Sequence, residues 1–323
     1  IKYNADSNGG NISFKVDRSS IRQGNAVIAI KDVSDAILWS WHVWVTDEDI
    51  NNVIEITNHQ NVKYNFMPVN LGQCDGNTIT YEERSCKVKF IAGDQSKEIT
   101  IKQLANVIAT GSNAPFYQWG RKDPLYPSNG MGNTTKIWYD KEGIPSTANP
   151  MKGTFSAGND CIKNCILNPN LMHNRYNGDY TYYNLWSADN KTTSANDNPV
   201  NKTIYDPCPV GFKLPASNAF TGFTTTGESV SSSTQVNGTW SSSEKGWYFY
   251  TNSEKTQSIF FPALGYRSYS TMRPGSIGTQ GCFWSAHPVA KGNNYYLRTS
   301  SVDVQPTYMV DRGFGYALRP CQD

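Results

Sequence analysis

The chain has 323 residues, long enough to bury a substantial core as one large domain or as two ordinary ones. Charged residues make up 17% and aromatic residues 13% of the sequence, a balance typical of a loop-rich, β-dominated extracellular protein and unlike a helical cytosolic enzyme. The formal net charge of +2 argues against nucleic acid as a partner, since binding it requires a concentrated basic stripe.

The first 35 residues predict two strands ahead of the main domain. The chain begins at Ile1 without a basic and apolar leader and has no apolar run long enough to cross a bilayer, so we expect a mature or trimmed ectodomain. The alternating runs Ile12–Val16 and Ala26–Ile30 are separated by a polar turn, as strands often are. We treat residues 1–35 as a lead-in to one large domain over residues 36–323; the alternative is the end of an upstream β domain.

The segment Trp39–Asp47 predicts a core strand, because its side chains alternate with period two. One face carries Trp39, Trp41, Val43 and Val45. The other face carries Ser40, His42, Trp44 and Thr46. A lone histidine on such a strand is more often a hydrogen-bonded core residue than a ligand or a catalytic base, and we expect this of His42.

Strands, a short helix and long loops alternate through the middle of the chain. The segment Tyr64–Lys102 predicts a meander of strands and turns. Ala157–Pro169 has apolar residues at helical spacing, a polar capping candidate and an Asn-Pro stop, so it predicts one short helix. Ser187–Thr203 and Thr224–Gly238 are rich in Ser, Thr, Asn and Gly, which predicts two long surface loops.

The C-terminal quarter of the chain predicts a run of short strands separated by turns. The predicted strands are Trp247–Tyr250, Ser258–Ala263, Gly281–Ser285, Asn294–Arg298 and Gly315–Arg319. The glycines between them fit turns and close backbone approach. No strand-loop-helix pattern with a glycine-rich cradle indicates a phosphate site.

Three segments that keep their order carry a resemblance to known proteins. They are Asn201–Phe223, in which a cysteine stands between two prolines, Phe116–Asp123 upstream of it and Arg312–Arg319 downstream. With them the chain resembles fimbrillin-type or pilus-tip surface proteins of gut Bacteroidetes that end in a C-type-lectin-like domain. It is similar in the same way to the Fibrobacter major paralogous domain and, distantly, to formylglycine-generating enzyme.

The resemblance runs from about Trp39 to the C-terminus and implies an α+β fold of the C-type-lectin-like kind. That fold is β-rich, with a few short helices and long loops, and is preceded here by the N-terminal strands. The resemblance also implies a second short helix that opens at Pro215–Phe220. It places Arg312 and Arg319 in the framework, where we expect them to be buried and hydrogen-bonded to loop carbonyls.

Seven cysteines form an odd set, so at least one lacks a partner within the chain. Cys74 and Cys86 flank a turn containing Gly-Asn and could staple a hairpin. The resemblance brings the motif ends that carry Cys208 and Cys321 together, which makes them the second candidate disulfide. These two pairs are the predicted bridges.

The remaining cysteines favour neither a bridge nor a metal. Cys161 and Cys165 lie four residues apart on the predicted helix, a spacing that suits two buried free thiols better than a disulfide. No cysteine pair has zinc-type spacing with histidines nearby, so we expect no structural metal and no cofactor. The formylglycine-generating relatives use a C-terminal cysteine pair with copper, but Cys282 and Cys321 stand in a different sequence context.

Other patterns for catalysis or calcium binding are weak. No histidine lies in a recognisable nucleophile motif, and a glycosidase carboxylate pair has no positive support. The triplet Gln305–Thr307 is the nearest match to the calcium-binding triplet of true C-type lectins, but it lacks a carboxylate and favours an exposed turn. We predict that the chain is not an enzyme.

The segment Ala286–Asp311 alternates framework-like residues with idiosyncratic ones, and it predicts a ligand-binding surface. Its residue types are those of a paratope, since Tyr gives a large contact area at low entropic cost and Arg gives multidentate hydrogen bonds. Together with two residues of the preceding loop, the predicted ligand-binding residues are Tyr269, Arg273, His287, Asn293, Tyr295, Arg298, Ser300, Asp303, Gln305, Tyr308, Met309 and Asp311. Ordinary solvated loops are the alternative. In related domains a diversity-generating retroelement rewrites such a segment, and the resemblance extends this hypothesis to the present chain.

These features predict a non-enzymatic adhesin or pilus-tip-like protein, extracellular and associated with the outer membrane or a pilus. Its expected partners are a host or microbial glycan or protein and other pilus subunits, with no membrane span in this chain. The alternative is a structural pilus or surface-assembly subunit without its own ligand, and an enzyme of the formylglycine-generating branch ranks third. Exposed aromatic residues on the C-terminal face favour the adhesin, whereas an unpaired sheet edge near the N-terminal strands favours the structural subunit.

Overall fold

The computed structural model describes residues 2–4, 11–74, 78–109, 113–130, 132–146, 151–153, 159–173, 183–189, 192–289 and 292–323. The chain is mostly β, with 42% strand, 8% helix and several small sheets. The expected α+β, C-type-lectin-like class is therefore wrong. An α+β fold needs helices that cover a sheet as a layer, and these helical segments are too short to form one.

The helical elements explain this outcome. In the part of the chain that the structure describes, the α-helix Asn159–Leu167 is the only one, and it confirms the helix predicted within Ala157–Pro169. The second predicted helix is a 3-10 helix, Ser217–Phe223. Most of it is buried, namely Ser217, Ala219, Phe220, Thr221 and Phe223. Shorter 3-10 turns span Arg18–Ser20 and Ser233–Gln235.

Two-stranded sheets account for most strands of the N-terminal half. The antiparallel pairs are Lys2–Asn4 with Asn11–Ser13, Gly24–Lys31 with Ile37–Val45, Thr78–Tyr81 with Asn106–Ala109, Arg84–Ala92 with Gln95–Gln103, and Trp138–Tyr139 with Pro145–Ser146. Met151–Gly153 pairs in parallel with Leu171–His173. The predicted meander over Tyr64–Lys102 is therefore divided among separate sheets.

Four larger sheets complete the fold. Two have four strands, in the orders Tyr117–Gln118, Gly315–Tyr316, Tyr266–Arg267, Pro274–Gly275 and Phe212–Lys213, Cys321–Gln322, Lys63–Phe66, Ile54–Thr57. Two have three strands, in the orders Gly238–Ser241, Gly246–Tyr250, Ser258–Pro262 and Gly281–Pro288, Asn293–Thr299, Val304–Asp311. We call the last of these the C-terminal sheet.

The three sequence segments that carry the resemblance meet in space. Tyr117 pairs with Tyr316, and Lys213 pairs with Cys321. Arg319 is buried and donates hydrogen bonds to the carbonyls of Met67, Pro68 and Phe260. The prediction that this arginine binds loop carbonyls is confirmed, and these bonds offset the cost of burying its charge.

The C-terminal sheet lies between two hydrophobic cores. Residues opposite each other on paired antiparallel strands share a face, so Trp284 and Tyr296 lie on one side and Phe283 and Leu297 on the other. The first side contributes to a core with Tyr117, Trp119 and Trp186; the second contributes to a core with Phe220, Phe223, Phe249 and Phe261. All eight residues of Gly281–Pro288 are buried, which makes this strand a rigid support for its neighbours.

The strand predicted within Trp39–Asp47 is present as Ile37–Val45. Ser40 is only 1% exposed, whereas Trp41 is 40% exposed. Ser40 is buried because its hydroxyl donates to Asp123 at 2.7 Å and its carbonyl accepts from Lys122 at 2.9 Å. A polar cluster thus determines which side of the strand faces inward.

The strand Gly24–Lys31 pairs with Ile37–Val45, so the two strands on either side of position 35 form one hairpin. His42 in this hairpin is hydrogen-bonded, as predicted. Its Nε2 lies 2.8 Å from Asn25 Oδ1, and its Nδ1 lies 2.8 Å from the Tyr117 hydroxyl. Burial lowers the pKa of His42 to about 4, so the neutral ring donates to Asn25 and accepts from Tyr117.

The hairpin Arg84–Gln103, which we call the exposed hairpin, is the least buried pair of strands described. Every residue of Gln95–Gln103 is exposed. Its register aligns Cys86 with Ile101, Val88 with Ile99 and Phe90 with Lys97, so one face is largely apolar. Two strands alone are marginally stable in water, which makes this uncovered apolar face unusual.

Within the described residues, no helix is long and apolar enough to cross a membrane.

Candidate functional site

The predicted ligand-binding residues divide into buried and accessible groups. His287 is fully buried, and its Nδ1 accepts a hydrogen bond from the Ser217 backbone at 3.2 Å. Tyr295 is also buried, and its hydroxyl donates to the Thr193 carbonyl at 3.2 Å. Both side chains form hydrogen bonds between the C-terminal sheet and neighbouring segments, and both are buried. Neither therefore belongs to an accessible surface.

The accessible group lies along the outer strand of the C-terminal sheet. Tyr308 is 46% and Met309 is 51% exposed. Arg273, in the preceding loop, is exposed as well. The partly buried members are Tyr269, Asn293, Arg298, Ser300, Asp303, Gln305 and Asp311. Cross-strand pairing places Asn293 opposite Asp311 and Arg298 opposite Gln305.

Four of these residues form a contact group around the Ser300–Asp303 turn. The Arg298 guanidinium lies 3.2 Å from the Asp303 carboxylate and 5.8 Å from the centre of the Tyr308 ring. The Ser300 hydroxyl accepts the Asp303 backbone N–H at 3.2 Å and thereby shapes the turn. Arg298 is thus held over the exposed tyrosine by a charge partner and a cation–π contact.

A chain of ring contacts connects Tyr308 to Tyr269. The ring centres are 5.7 Å apart from Tyr308 to Tyr296, 4.6 Å from Tyr296 to Tyr316, 5.8 Å from Tyr316 to Phe314, and 4.8 Å from Phe314 to Tyr269. We call these five residues the aromatic row. Its inner members Tyr296 and Tyr316 are buried, while its ends reach the surface.

Tyr269 and Tyr308, the two ends of the aromatic row, were predicted from the sequence as ligand-binding residues. The three residues between them were not. Tyr296 lies in the largely buried strand Asn293–Thr299, and Phe314 and Tyr316 belong to a segment that the resemblance places in the framework. None of the three was therefore predicted to bind a ligand. The period-two spacing of Phe314 and Tyr316 places both on one side of the chain, which is the signal that was available.

The strand Val304–Asp311 is at the edge of its sheet. Val304 exchanges two backbone hydrogen bonds with Val230, at 3.0 and 3.1 Å. Beyond this bridge, no other strand among the described residues pairs with the outer edge. The predicted exposed turn at Gln305–Thr307 is wrong, since these residues lie within the strand and Pro306 is buried at a register shift. Proline is tolerated at such an edge because no ladder hydrogen bond is lost.

The loop before this region has both buried and accessible side chains. Arg267 is fully buried; its side chain donates to the Tyr126 carbonyl and lies 5.8 Å from the Phe116 ring centre. Met272 is buried in the same region. Arg267 and Met272 therefore support the loop, and Tyr269 and Arg273 are its accessible residues.

None of the seven cysteines, all of which lie in the described residues, forms a disulfide, so both predicted bridges are wrong. Cys74 is buried beside Asn25, whereas Cys86 is exposed on the hairpin, and this difference in location explains why they do not pair. Cys208 and Cys321 are both buried, and burial raises the pKa of Cys321 to about 12. Cys282 and Cys321 lie in different cores, so the structure does not assemble the pair suggested by formylglycine-generating enzymes.

A second candidate site is a cavity of about 60 Å³ beside the helix Asn159–Leu167. Cys161 and Cys165 line it together with Arg121, His173 and Arg312. Within the described residues, no group of three or more His, Cys, Asp or Glu side chains is arranged to hold a metal ion. The cavity is therefore distinguished by its thiols and its cationic side chains.

No protein-family model, no curated protein and no solved structure matches this chain. The resemblance to fimbrillin-type surface proteins stays a prediction.

Proposed function

We propose that this chain is a non-enzymatic, extracellular recognition protein, an adhesin or pilus-tip-like protein at a bacterial surface. It binds a glycan or protein ligand through the accessible end of the aromatic row and the adjoining edge strand. The observation that carries the proposal is the exposure of Tyr308 and Met309 on a sheet whose first strand is entirely buried. The proposal includes a retroelement that diversifies the segment Ala286–Asp311.

A rigid support favours recognition because less conformational freedom is lost on binding. Tyr308 is backed by the buried Tyr296, and Arg298 is held above it by Asp303. Tyrosine and arginine are enriched at binding hot spots, and methionine adapts to irregular partners. Beyond Val304, no strand in the described part of the chain pairs with the outer edge of this strand, so an extended ligand segment can add to it there.

A binding screen tests this proposal. The purified chain is applied to a glycan array and to a panel of host surface proteins, with and without EDTA, beside the variant Tyr308→Ala/Met309→Ala. We expect binding that survives EDTA and is lost in the variant. Tyr139→Ala is the matched control, since Tyr139 is 64% exposed on a different sheet and its removal is expected to leave binding unchanged.

The glycan arm and the protein arm of the screen distinguish the two ligand classes. Equal loss of binding in the Tyr139 control and in the double variant would contradict a specific surface. Absence of binding to any ligand by the unaltered chain would move the assignment to the second candidate function.

The second candidate is a structural subunit of a surface assembly, which the exposed hairpin favours. Phe90, Ile99 and Ile101 are 58%, 44% and 53% exposed on one face of this hairpin. Strands with free edges and apolar faces are templates for pairing with another chain. Analytical ultracentrifugation of the unaltered chain and, in a separate sample, of its Phe90→Lys/Ile101→Lys variant tests this role at high protein concentration. An assembly role predicts that the unaltered chain forms oligomers and the variant does not.

A further inference from the structure

The cavity beside the helix Asn159–Leu167 is separate from the aromatic row, and its chemistry is not explained by ligand recognition there. The helix places Cys161 and Cys165 one turn apart on the same face, and both line the cavity. Each is partly accessible, unlike Cys208, Cys282 and Cys321. The cavity is partly open to solvent, so a small molecule can reach the two thiols.

The same cavity is lined by cationic groups. Arg121 donates hydrogen bonds to the Pro169 carbonyl at 2.9 Å and to the Gln118 side-chain oxygen at 3.0 Å, and both acceptors are neutral. Arg312 lines the opposite part of the wall, with its guanidinium 4.5 Å from the Trp119 ring centre. The lining carboxylate, Asp123, is bound by Lys122 and Ser40 and does not compensate Arg121.

His173 supplies an independent observation. It is only 4% exposed, and within the described part of the chain neither of its ring nitrogens has a hydrogen-bond partner. The Nε of Arg121, which lines the same cavity, is also buried without a partner there. Buried polar groups are normally satisfied, so exceptions in a cavity indicate a place for a polar molecule.

The two thiols differ in pKa. A hydrogen bond from Cys161, together with the charge of Arg121, holds the pKa of Cys165 well below its usual range. The same hydrogen bond raises the pKa of Cys161. Thiolates are the reactive form of cysteine, and reactive cysteines lie in partly accessible, electropositive surroundings of this kind.

We infer that Cys165 is the peroxide-reactive cysteine of this cavity and that Cys161, one helical turn away, is its partner. Hydrogen peroxide is close to water in size and fits a cavity of about 60 Å³. Arg121 and His173 are positioned to hold the peroxide next to the sulfur.

The reaction oxidises sulfur and reduces peroxide. The Cys165 sulfur attacks one peroxide oxygen, the O–O bond breaks and a sulfur–oxygen bond forms, which leaves sulfenic acid on Cys165. The other oxygen departs as hydroxide and takes a proton from Cys161 or from solvent to become water. Peroxide is the two-electron oxidant, and no metal takes part.

Trapping the sulfenic acid tests this inference on the folded chain. The protein is treated with hydrogen peroxide in limiting amount, trapped with dimedone and digested with trypsin. Cleavage after Lys163 separates the two cysteines, so the peptide 164–175 reports Cys165 alone. We expect the dimedone adduct on this peptide about tenfold faster than on the exposed Cys86. The adduct also distinguishes cysteine oxidation from oxidation of Met172, which the same peptide contains.

A matched pair of variants assigns the role of Cys161. Cys161→Ala removes the hydrogen-bond donor, and Cys161→Ser keeps one in the same place. We expect the iodoacetamide reactivity of Cys165 at pH 6 to fall by about tenfold in the alanine variant and less in the serine variant. A Cys165 that reacts no faster than Cys86, or that reacts only in urea, would overturn the inference. Neither readout depends on ligand binding at the aromatic row.

Discussion

The C-terminal sheet and the exposed hairpin are built from antiparallel strands of similar length, yet their burial is opposite. All eight residues of Gly281–Pro288 are buried, whereas all nine of Gln95–Gln103 are exposed. Both contain apolar residues at alternating positions. Local strand pattern therefore does not decide stability in this protein; coverage of a strand by other elements does.

The largest expected contrast comes from removing one phenylalanine from each region. The ring of Phe261 contacts five other phenylalanines: Phe66, Phe220, Phe223, Phe249 and Phe283. We expect Phe261→Ala to lower the free energy of unfolding by about 4 kcal/mol, because a cavity replaces these contacts. Phe90→Ala on the exposed hairpin should change it by less than about 0.5 kcal/mol. Urea unfolding of both variants measures the contrast, and equal losses would show that the hairpin is packed in solution.

A pH series of unfolding measurements tests His287, which is buried within the C-terminal sheet. Burial lowers the pKa of His287 to about 4, from about 6.5 when unfolded. The unfolded chain therefore binds a proton first as the pH falls, so stability is full above pH 6.5 and declines between pH 6.5 and 4. We expect His287 to account for a loss of about 3 kcal/mol at pH 4.

His287→Asn is the control for this series, since it keeps an acceptor near the Ser217 backbone N–H but does not titrate. The urea midpoint of the unaltered chain should fall more steeply from pH 7 to pH 4 than that of the variant. Parallel pH profiles would mean that His287 is protonated in the folded chain.

The polar cluster that fastens the strand Ile37–Val45 to the main body should give a smaller effect. Asp123 accepts from Lys122 at 2.7 Å and from Ser40 at 2.7 Å, and burial lowers the pKa of Lys122. We expect Asp123→Asn to lower the free energy of unfolding by about 2 kcal/mol, because Lys122 loses its charged partner while buried. Asp35→Asn, which breaks an exposed pair with Lys31, is the matched control and should leave the urea midpoint unchanged.

The smallest effect is expected at the proposed binding surface. Arg298 and Asp303 are partly exposed, so their coupling in a double-mutant cycle of Arg298→Ala and Asp303→Ala should be less than about 1 kcal/mol for unfolding. Their effect on ligand binding should be larger, because Arg298 is oriented over Tyr308. A coupling of several kcal/mol in stability would instead make this pair part of the structural framework.

Sequence patterning predicted the elements with strong local signals. The strands around Trp247, Phe260 and Phe283 were predicted because each is a short apolar run bounded by turn residues, which is a local signal. The helix over Asn159–Leu167 was predicted because helical spacing and an Asn-Pro stop are local as well. The hydrogen-bonded role of His42 followed from residue type.

Tertiary structure decided what the local pattern did not. Ser40 is buried because Asp123, distant in sequence, binds it. The predicted bridge between Cys74 and Cys86 is not formed, since Cys74 is buried and Cys86 is exposed. The α+β class is wrong because the second predicted helix is a short 3-10 helix.

The sequence by itself determined many local conformations of this protein, among them several of its strands and its one α-helix within the described residues. Tertiary structure alone decided which tyrosines reach the surface, which arginines are buried, and that Cys165 lies beside Arg121 and His173. The physical reason is that alternation and capping depend on neighbouring residues, whereas burial, charge pairing and thiol reactivity depend on groups brought together from distant parts of the chain.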